Sequence, residues 1–354
     1  MRGKKPIQDT ALEEWLQEFK RETTQRTYLS ALRKFKKVLG IEDLGEYVKN
    51  SPNVSADLRK FLGTMDGKPS KTVNTYVGAL KMFLQDHGVK VPDDDWRKMR
   101  RRGFMPKRVK AETRDRKPSK VMLKQILNFA DIKCRSQVLF LVSSGARIGE
   151  TLQLKTEDFN LDADPPCAHI RDEYTKGGVG ERIVYFSYEA RDVIRDWLKI
   201  KDTTGRRAGG GTYKGEKMFP WDDNTARFMW NMACDKAGLG TRDNNTKRRI
   251  YHLHSLRKFF RTKIGLDVDI THALMGHTKY LDEAYLRLEQ DGEIAKAYLE
   301  AMPNVSVYAV EDQQLREQAS TIEQENIELK SRITQTEAKL AELEKMIRQI
   351  LEEK

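Results

Sequence analysis

Hydrophobic positions recur at helical spacing along most of the chain, and at strand spacing in one place. Leu12, Trp15, Leu16 and Phe19 make one helical stripe, and Tyr28, Leu32, Phe35, Val38 and Leu39 make a second that stops at Gly40. Pro52 and Asn53 break the chain before a short helix at 56–62. Residues 70–84 then repeat the character of 24–35, with Thr and Tyr followed by Leu and Phe a turn apart. Together these segments predict a small all-helical domain over residues 1–98. Further on, 120–130 and 136–144 predict two more helices. The second is apolar enough to be buried all round and stops at Gly145, and another helix starts in Ala146–Leu154. Alternation appears at 168–171 and 182–186, flanking Thr175-Lys176-Gly177-Gly178, so a β-hairpin is expected with Lys176 at its tip. An amphipathic helix at 188–200 precedes a polar, glycine-rich loop at 203–216. A helix over 225–237, with Phe228, Met229 and Met232 on its buried face, leads to a polar loop at 241–249. A second domain of mixed α+β character is thus expected over 120–306.

The tail is patterned differently. Residues 311–354 contain neither Gly nor Pro. One apolar series runs Leu315, Ile322, Leu329, Thr336, Leu343, Ile350, and the other runs Ala319, Asn326, Ile333, Leu340, Ile347. Their offsets alternate four and three, the d and a seams of a coiled coil, so 307–354 is expected to be a coiled-coil helix. Asn326 at an a position favours a parallel dimer. The alternative is one long amphipathic helix packed on its own body.

Charge adds a partner. The chain carries a net +12 with a pI near 9.4. From Glu311 onward there are seven basic and eleven acidic residues, a net of −4, which leaves about +16 on residues 1–310. A body this basic favours a polyanion. Twelve of the 24 residues from Arg97 to Lys120 are Lys or Arg, interrupted by Gly103, Pro106 and Pro118. That composition suggests a basic linker over 99–119 whose Arg100, Arg101, Arg102, Lys107 and Arg108 run along a phosphate backbone, with salt-dependent affinity. The three cysteines are odd in number and far apart, as suits reduced thiols. No apolar run approaches the roughly 18–20 residues of a membrane span. A cytoplasmic protein, associated with the nucleoid, is expected.

The candidate chemistry concentrates in Tyr251-His252-Leu253-His254-Ser255-Leu256-Arg257-Lys258-Phe259-Phe260, followed by Leu274-Met275-Gly276-His277 and Tyr285. Imidazoles, a guanidinium and a phenol can hold a phosphate and attack it. Arg147 stands between two buried segments, where an unpaired charge would cost several kcal/mol, so it is either paired to Glu150 or functional. His252, His254, His272 and His277 have no Cys or close carboxylate at zinc-site spacing, so neither metal nor other cofactor is expected, and His252 and His272 are read as structural.

These pieces resemble the tyrosine recombinases, the family of phage integrases and Xer-type enzymes. Gly145-Ala146-Arg147-Ile148-Gly149-Glu150-x-Leu152-x-Leu154 is similar to the family's first arginine motif, and the Thr175–Gly178 turn to its lysine hairpin. His254-Ser255-Leu256-Arg257 resembles its His-x-Leu-Arg box, and Leu274–His277 its Leu-Gly-His box with Met275 replacing a leucine. The resemblance covers roughly residues 8–300. It implies a mainly α protein of two domains, a helical core-binding domain and a mixed α+β catalytic domain with a small β-hairpin.

It also implies catalytic roles for Arg147, Lys176, His254, Arg257, His277 and Tyr285. Tyr285 would attack the phosphate, giving a 3′-phosphotyrosyl link and a free 5′-hydroxyl, so strands rejoin without metal or ATP. Arg147 and Arg257 would hold the non-bridging oxygens. Lys176 would protonate the leaving oxygen, His254 would assist proton transfer from Tyr285, and His277 would hydrogen-bond the phosphate. Tyr285 lies eight residues after His277, where the family more often has nine. Tyr280 is only three residues away, too close to swing onto the same phosphate, and Tyr298 and Tyr308 lie further out. The implied partners are double-stranded DNA carrying a recombination site and further copies of the chain, four on synapsed DNA, with a coiled-coil dimer through 311–354. The family's usual short terminal helix, donated to a neighbour, fits 293–301. Two other functions share these features: a type IB topoisomerase, and a non-catalytic dimeric DNA-binding protein on the same fold.

Overall fold

The computed structural model describes residues 9–50, 53–106, 116–175, 177–204 (backbone only at 202–204), 215–244, 246–277 and 292–308, with isolated positions 333 and 336. The chain falls into two compact units, Met1–Arg114 and Asp115–Lys354.

In the first unit the described helices are α1 (Thr10–Gln17), α2 (Glu22–Leu39), α3 (Leu44–Asn50), α4 (Val54–Gly63), α5 (Ser70–Asp86) and α6 (Asp93–Arg101). Helix α2 packs against α1, α4 and α5. The residues of the sequence stripes meet in this core: Trp15, Leu32, Phe35, Phe61, Leu80 and Phe83 are all buried. Trp15 meets Phe83 edge-on at 5.2 Å and donates its Nε1–H to Asp86 at 2.7 Å, so the one polar atom of a buried indole is satisfied. Two helices were not legible beforehand. Helix α3 is too short to display a period. Helix α6 hides its two buried residues, Trp96 and Met99, among charges. Those charges are ordered, with Asp93, Asp94 and Asp95 in the first turn and Lys98, Arg100 and Arg101 in the last, which complements the helix dipole. Regular structure therefore extends into the stretch expected to be linker.

The second unit contains α7 (Lys120–Asn128), α8 (Ile132–Ser144), α9 (Ile148–Thr151), β1 (Phe159–Asn160), β2 (Cys167–Ile170), β3 (Arg182–Tyr185), α10 (Tyr188–Thr204), α11 (Asp223–Lys236), α12 (Leu253–Lys263), α13 (Val268–Leu274) and α14 (Glu293–Val305). The expected hairpin is present as β2–β3, with Ala168 opposite Val184 and Ile170 opposite Arg182, and β1 extends it to a three-stranded antiparallel sheet. Helix α8 is central. Every residue from Ser136 to Ser144 is buried, and it packs against α10, α11, α12, α14 and β3. Among its buried polar side chains, Ser143 donates to Leu139 O and Gln137 Oε1 accepts from Trp221, while Gln137 Nε2 is buried without a hydrogen-bond partner.

Two expectations change. On α11, Phe228 is 62% exposed, Met232 is 41% exposed and Met229 only half-buried. The buried face is Ala226, Trp230, Ala233 and Cys234. One large ring among small residues lets this helix approach the core closely, with Trp230 Nε1–H donating to Tyr251 O. Helix α14, expected as a helix donated to a neighbour, packs on α8 and α12 of its own chain. It buries Ile294, Tyr298, Met302 and Val305. Lys120 donates to Pro303 O at 2.6 Å, and the Glu189 carboxylate accepts from the backbone N–H of Val307 and Tyr308 at 2.6 and 2.8 Å. The expected coiled coil over 311–354 lies outside the described residues, apart from Ile333 and Thr336.

Candidate active site

Three arginines and one carboxylate converge where α9, β3, α12 and the turn after α13 meet. Gly145 ends α8 in the left-handed conformation (φ 65°), and a Cβ there would lie 2.3 Å from the ring of Phe260 on α12. Only glycine permits that approach. It places Arg147 at the N-terminus of α9, where Arg147 Nη1 donates to Glu150 Oε1 at 2.6 Å, its backbone N–H to Glu150 Oε2 at 3.1 Å, and Nη2 to Gly276 O at 3.0 Å. Gly276 is the mirror case: its φ is 72°, and a Cβ would lie 2.5 Å from the guanidinium carbon of Arg182.

Arg182 occupies an inward position of β3 and has a fully buried side chain. It donates to Glu150 Oε2 at 2.7 Å, Leu274 O at 2.8 Å and Gly180 O at 3.1 Å. Arg257, on the buried face of α12 and 5% exposed, donates to Gly145 O at 2.7 Å, Met275 O at 2.6 Å and His277 Nε2 at 3.2 Å. Arg147 is the accessible member, its side chain 35% exposed.

The electrostatics follow from this geometry. Burial alone would raise the Glu150 carboxyl, but Arg182 and then Arg147 outweigh it and hold Glu150 below the usual carboxylate range. Burial, with Arg147 and Arg182 nearby, pulls Arg257 down to about 9, so it still carries its charge at pH 7. Burial pulls His277 down to about 4, helped by Arg257, His272 and Arg147, so its ring is neutral at pH 7. Three guanidiniums against one carboxylate leave an excess of two positive charges in a largely buried cluster. Backbone carbonyls satisfy the N–H groups but carry no net charge. Such a cluster is suited to an anion with several acceptor oxygens.

Among the expected residues, Arg147, Arg257 and His277 are brought together. His254 is exposed, one turn before Arg257 on α12, with its ring 6.3 Å from that of His252. Lys176, Tyr285 and Tyr280 lie outside the described residues, as do Lys107 and Arg108. The turn around Lys176 is described. Thr175 Oγ1 donates to Asp172 O and accepts from Val179 N–H at 2.9 Å, and Glu181 N–H donates to Asp172 Oδ1 at 2.8 Å. Below it, buried Asp158 accepts from Arg171 Nε at 2.7 Å and from the Tyr174 hydroxyl at 3.0 Å, bracing the hairpin. Tyr298 is sealed in the core with its hydroxyl donating to Ser143 O at 2.8 Å, which removes it as a nucleophile. In the first unit Arg100, Arg101 and Arg102 are exposed at the end of α6, where Asp94, Arg97, Lys98, Arg100 and Arg101 line an open cavity of about 630 Å³. Arg182 and His272 were not assigned to the site from sequence. The available signal for Arg182 was a charged residue in register with the buried Val184 on one strand. His272 gave none, because its contact with His277 depends on the turn between them.

Residues 119–282 match the family model of the phage integrase family. That stretch, which makes up most of the second unit, is a phage integrase family domain. The chain also shares its fold with solved structures of low identity. The XerH site-specific recombinase bound to difH substrate is 19% identical with a TM-score of 0.51, covering 82% of this chain and 85% of that one. The Tn1549 transposon integrase in complex with transposon right end DNA is 13% identical with a TM-score of 0.52, covering 79% and 97%. A lambda integrase dimer bound to a COC′ core site is 14% identical with a TM-score of 0.51, covering 77% and 95%. Curated protein sequences include no match to the chain. Among the described residues, no group of three or more His, Cys, Asp or Glu is arranged to hold a metal ion, and no helix is long and apolar enough to cross a membrane.

Proposed function

We propose that this protein is a site-specific DNA recombinase that cuts and rejoins double-stranded DNA through a 3′-phosphotyrosyl intermediate. The observation that carries this reading is the net-positive cluster of Arg147, Arg182 and Arg257 around the single carboxylate of Glu150. A phosphodiester supplies the missing negative charge. Arg147 and Arg257 hold its non-bridging oxygens and stabilise the charge that builds on them as phosphorus becomes pentacoordinate. Arg182, sealed beneath, fixes Glu150 and through it Arg147.

The Tyr285 phenolic oxygen attacks phosphorus and the bond from phosphorus to the 5′-oxygen breaks. The phenol's proton leaves with help from His254, and Lys176 protonates the departing 5′-oxygen. One phosphoester replaces another, so no ATP is consumed, and the reverse attack by a 5′-hydroxyl rejoins the strand. The exposed arginines of α6 track the DNA backbone. Recombination needs several copies on one DNA assembly, which is how the lambda integrase structures are described, a dimer on a core site and a tetramer on a Holliday junction. The heptads of 311–354 give this chain a route to self-association.

The test is covalent capture. A pool of nicked duplexes with randomised sequence is incubated with the full chain and with Tyr285→Phe. A protein–DNA band that resists denaturant is expected with the wild type, lost in the variant and unchanged by chelator. No band from the wild type on any duplex would refute the enzymatic reading.

A further inference from the structure

We propose that the hairpin of residues 241–250 is a phosphate clamp, which carries Arg242, Lys247 and Arg248 onto the backbone of the duplex that the active site holds. The proposal rests on the recombinase reading only in taking DNA as the polyanion. The segment is a polar loop by sequence, yet its backbone is closed by hydrogen bonds. Ile250 N–H donates to Thr241 O at 3.0 Å and Asp243 N–H to Arg248 O at 2.7 Å, with Arg242 opposite Arg249 between them. Lys247 N–H donates to Asp243 O at 2.9 Å, and Asp243 Oδ1 accepts from the Thr246 N–H at 2.7 Å and hydroxyl at 2.9 Å. The base is fixed to α11, where both ends of the Arg249 fork donate to the Asp235 carboxylate at 2.7 Å. Gly240 admits that carboxylate, since a Cβ there would collide with Asp235 Oδ1. Only Tyr251 and His252 separate the hairpin from α12, which carries Arg257.

Two observations point to a ligand. The first is charge. Residues 241–250 hold four cations against one carboxylate, and Asp235 answers only Arg249. Arg242, Lys247 and Arg248 are exposed, and none of them forms an ion pair with a described carboxylate. The second is backbone conformation. Asp243 stands opposite both Lys247 and Arg248, so Lys247 is the extra residue of a bulge, and its φ is 56°. Glycine is the usual occupant of that position, because an L side chain is strained there. Among the described residues, Lys247 is the only one other than glycine with a positive φ. A lysine placed where glycine would fit without strain is explained by a use for its charge. Each exposed cation that meets a phosphate releases a condensed counterion, so the clamp adds a salt-dependent share of affinity.

The test is the salt dependence of binding, followed by fluorescence anisotropy with the full chain and a labelled duplex of arbitrary sequence. The plot of log affinity against log salt loses about 0.9 of slope for each phosphate contact removed. Lys247→Gly should therefore flatten the slope by about 0.9, and the triple change Arg242→Ala, Lys247→Gly, Arg248→Ala by about 2–3. Lys247→Arg keeps the charge and should keep the slope. Lys199→Gln removes an exposed lysine of α10 that is paired to Asp196, and should leave the slope as it is. Lys247→Gly should also hold or raise the Tm, because glycine takes up the bulge without strain. A slope unchanged in the triple variant, an equal flattening by Lys199→Gln, or a Tm lowered by Lys247→Gly would overturn the proposal. If the triple variant does not fold, the single changes at Lys247 still decide. If the wild type binds no duplex, the DNA reading falls and the clamp with it. If it binds and captures DNA with the same slope in every variant, the clamp alone falls.

Discussion

Replacing Glu150 with glutamine tests whether one carboxylate organises the site. The change keeps shape and volume and removes a charge. Glu150 is 2% exposed and accepts three hydrogen bonds: from Arg147 Nη1 on one oxygen, and from Arg182 Nη2 and the Arg147 backbone N–H on the other. Glutamine offers one oxygen and one amide NH2, so whichever way it faces, a donor meets a donor. Arg182, with no exposed side chain, is left with carbonyls only. Breaking a buried ion pair at one end costs about 3–5 kcal/mol. At roughly 2–4 °C per kcal/mol for a unit of this size, the Tm of the second unit should fall by about 6–20 °C. Thermal unfolding followed by circular dichroism measures it. The double variant Glu150→Gln with Arg182→Met should be destabilised by less than the sum of the single changes, because the stranded charge is gone. A fall below about 2 °C in the single variant, or strict additivity in the double, would refute the claim that Glu150 holds this cluster.

Three further outcomes are expected. Gly276→Ala places a methyl 2.5 Å from the Arg182 guanidinium at a left-handed φ of 72°, so it should cost about 2–5 kcal/mol and slow covalent capture, whereas Gly149→Ala, with nothing near its Cβ, should change stability by less than about 1 kcal/mol. Lys176→Ala should slow strand cleavage on normal DNA and recover on DNA whose leaving 5′-oxygen is replaced by sulfur, since a thiolate departs without a proton. A partial form of the same pattern is expected for Thr175→Val, which loosens the turn, and no recovery with sulfur in either variant would remove the lysine from that role. Truncation after Tyr308 should lower the mass found by sedimentation in solution, and an unchanged mass would remove 311–354 from self-association.

Much of this arrangement is legible in the sequence, for identifiable reasons. The helices of the first unit declare themselves through large residues, such as Trp15, Phe35 and Phe83, at helical spacing. Helix α8 declares itself through unbroken apolarity, and the hairpin through alternation around two glycines. Period fails where composition masks it. In α6 nine residues hold only two buried ones, Trp96 and Met99, and the charges read as linker although their order favours a helix. In α11 the large apolar residues Phe228 and Met232 point outward while Ala226 and Ala233 are buried, because close packing there rewards small size over hydrophobicity. The site divides the same way. Arg147 with Glu150, and Arg257 near His277, are spaced within local motifs and can be found by reading along the chain. Arg182 reaches Glu150 across 32 positions, and its role depends on which face of β3 points inward. The His272–His277 contact depends on the left-handed turn at Gly276, which brings back two rings five residues apart.

The most direct test of the central claim is to identify the atom that takes the phosphate. Covalent complexes captured on nicked duplex are digested to leave a short nucleotide on the protein. Cleavage after Glu283 then separates Tyr280 from Tyr285, and fragment masses locate the adduct. The expected result is a 3′-linked nucleotide on Tyr285 and on no other residue. An adduct on Tyr280, or on a serine or lysine, would contradict it.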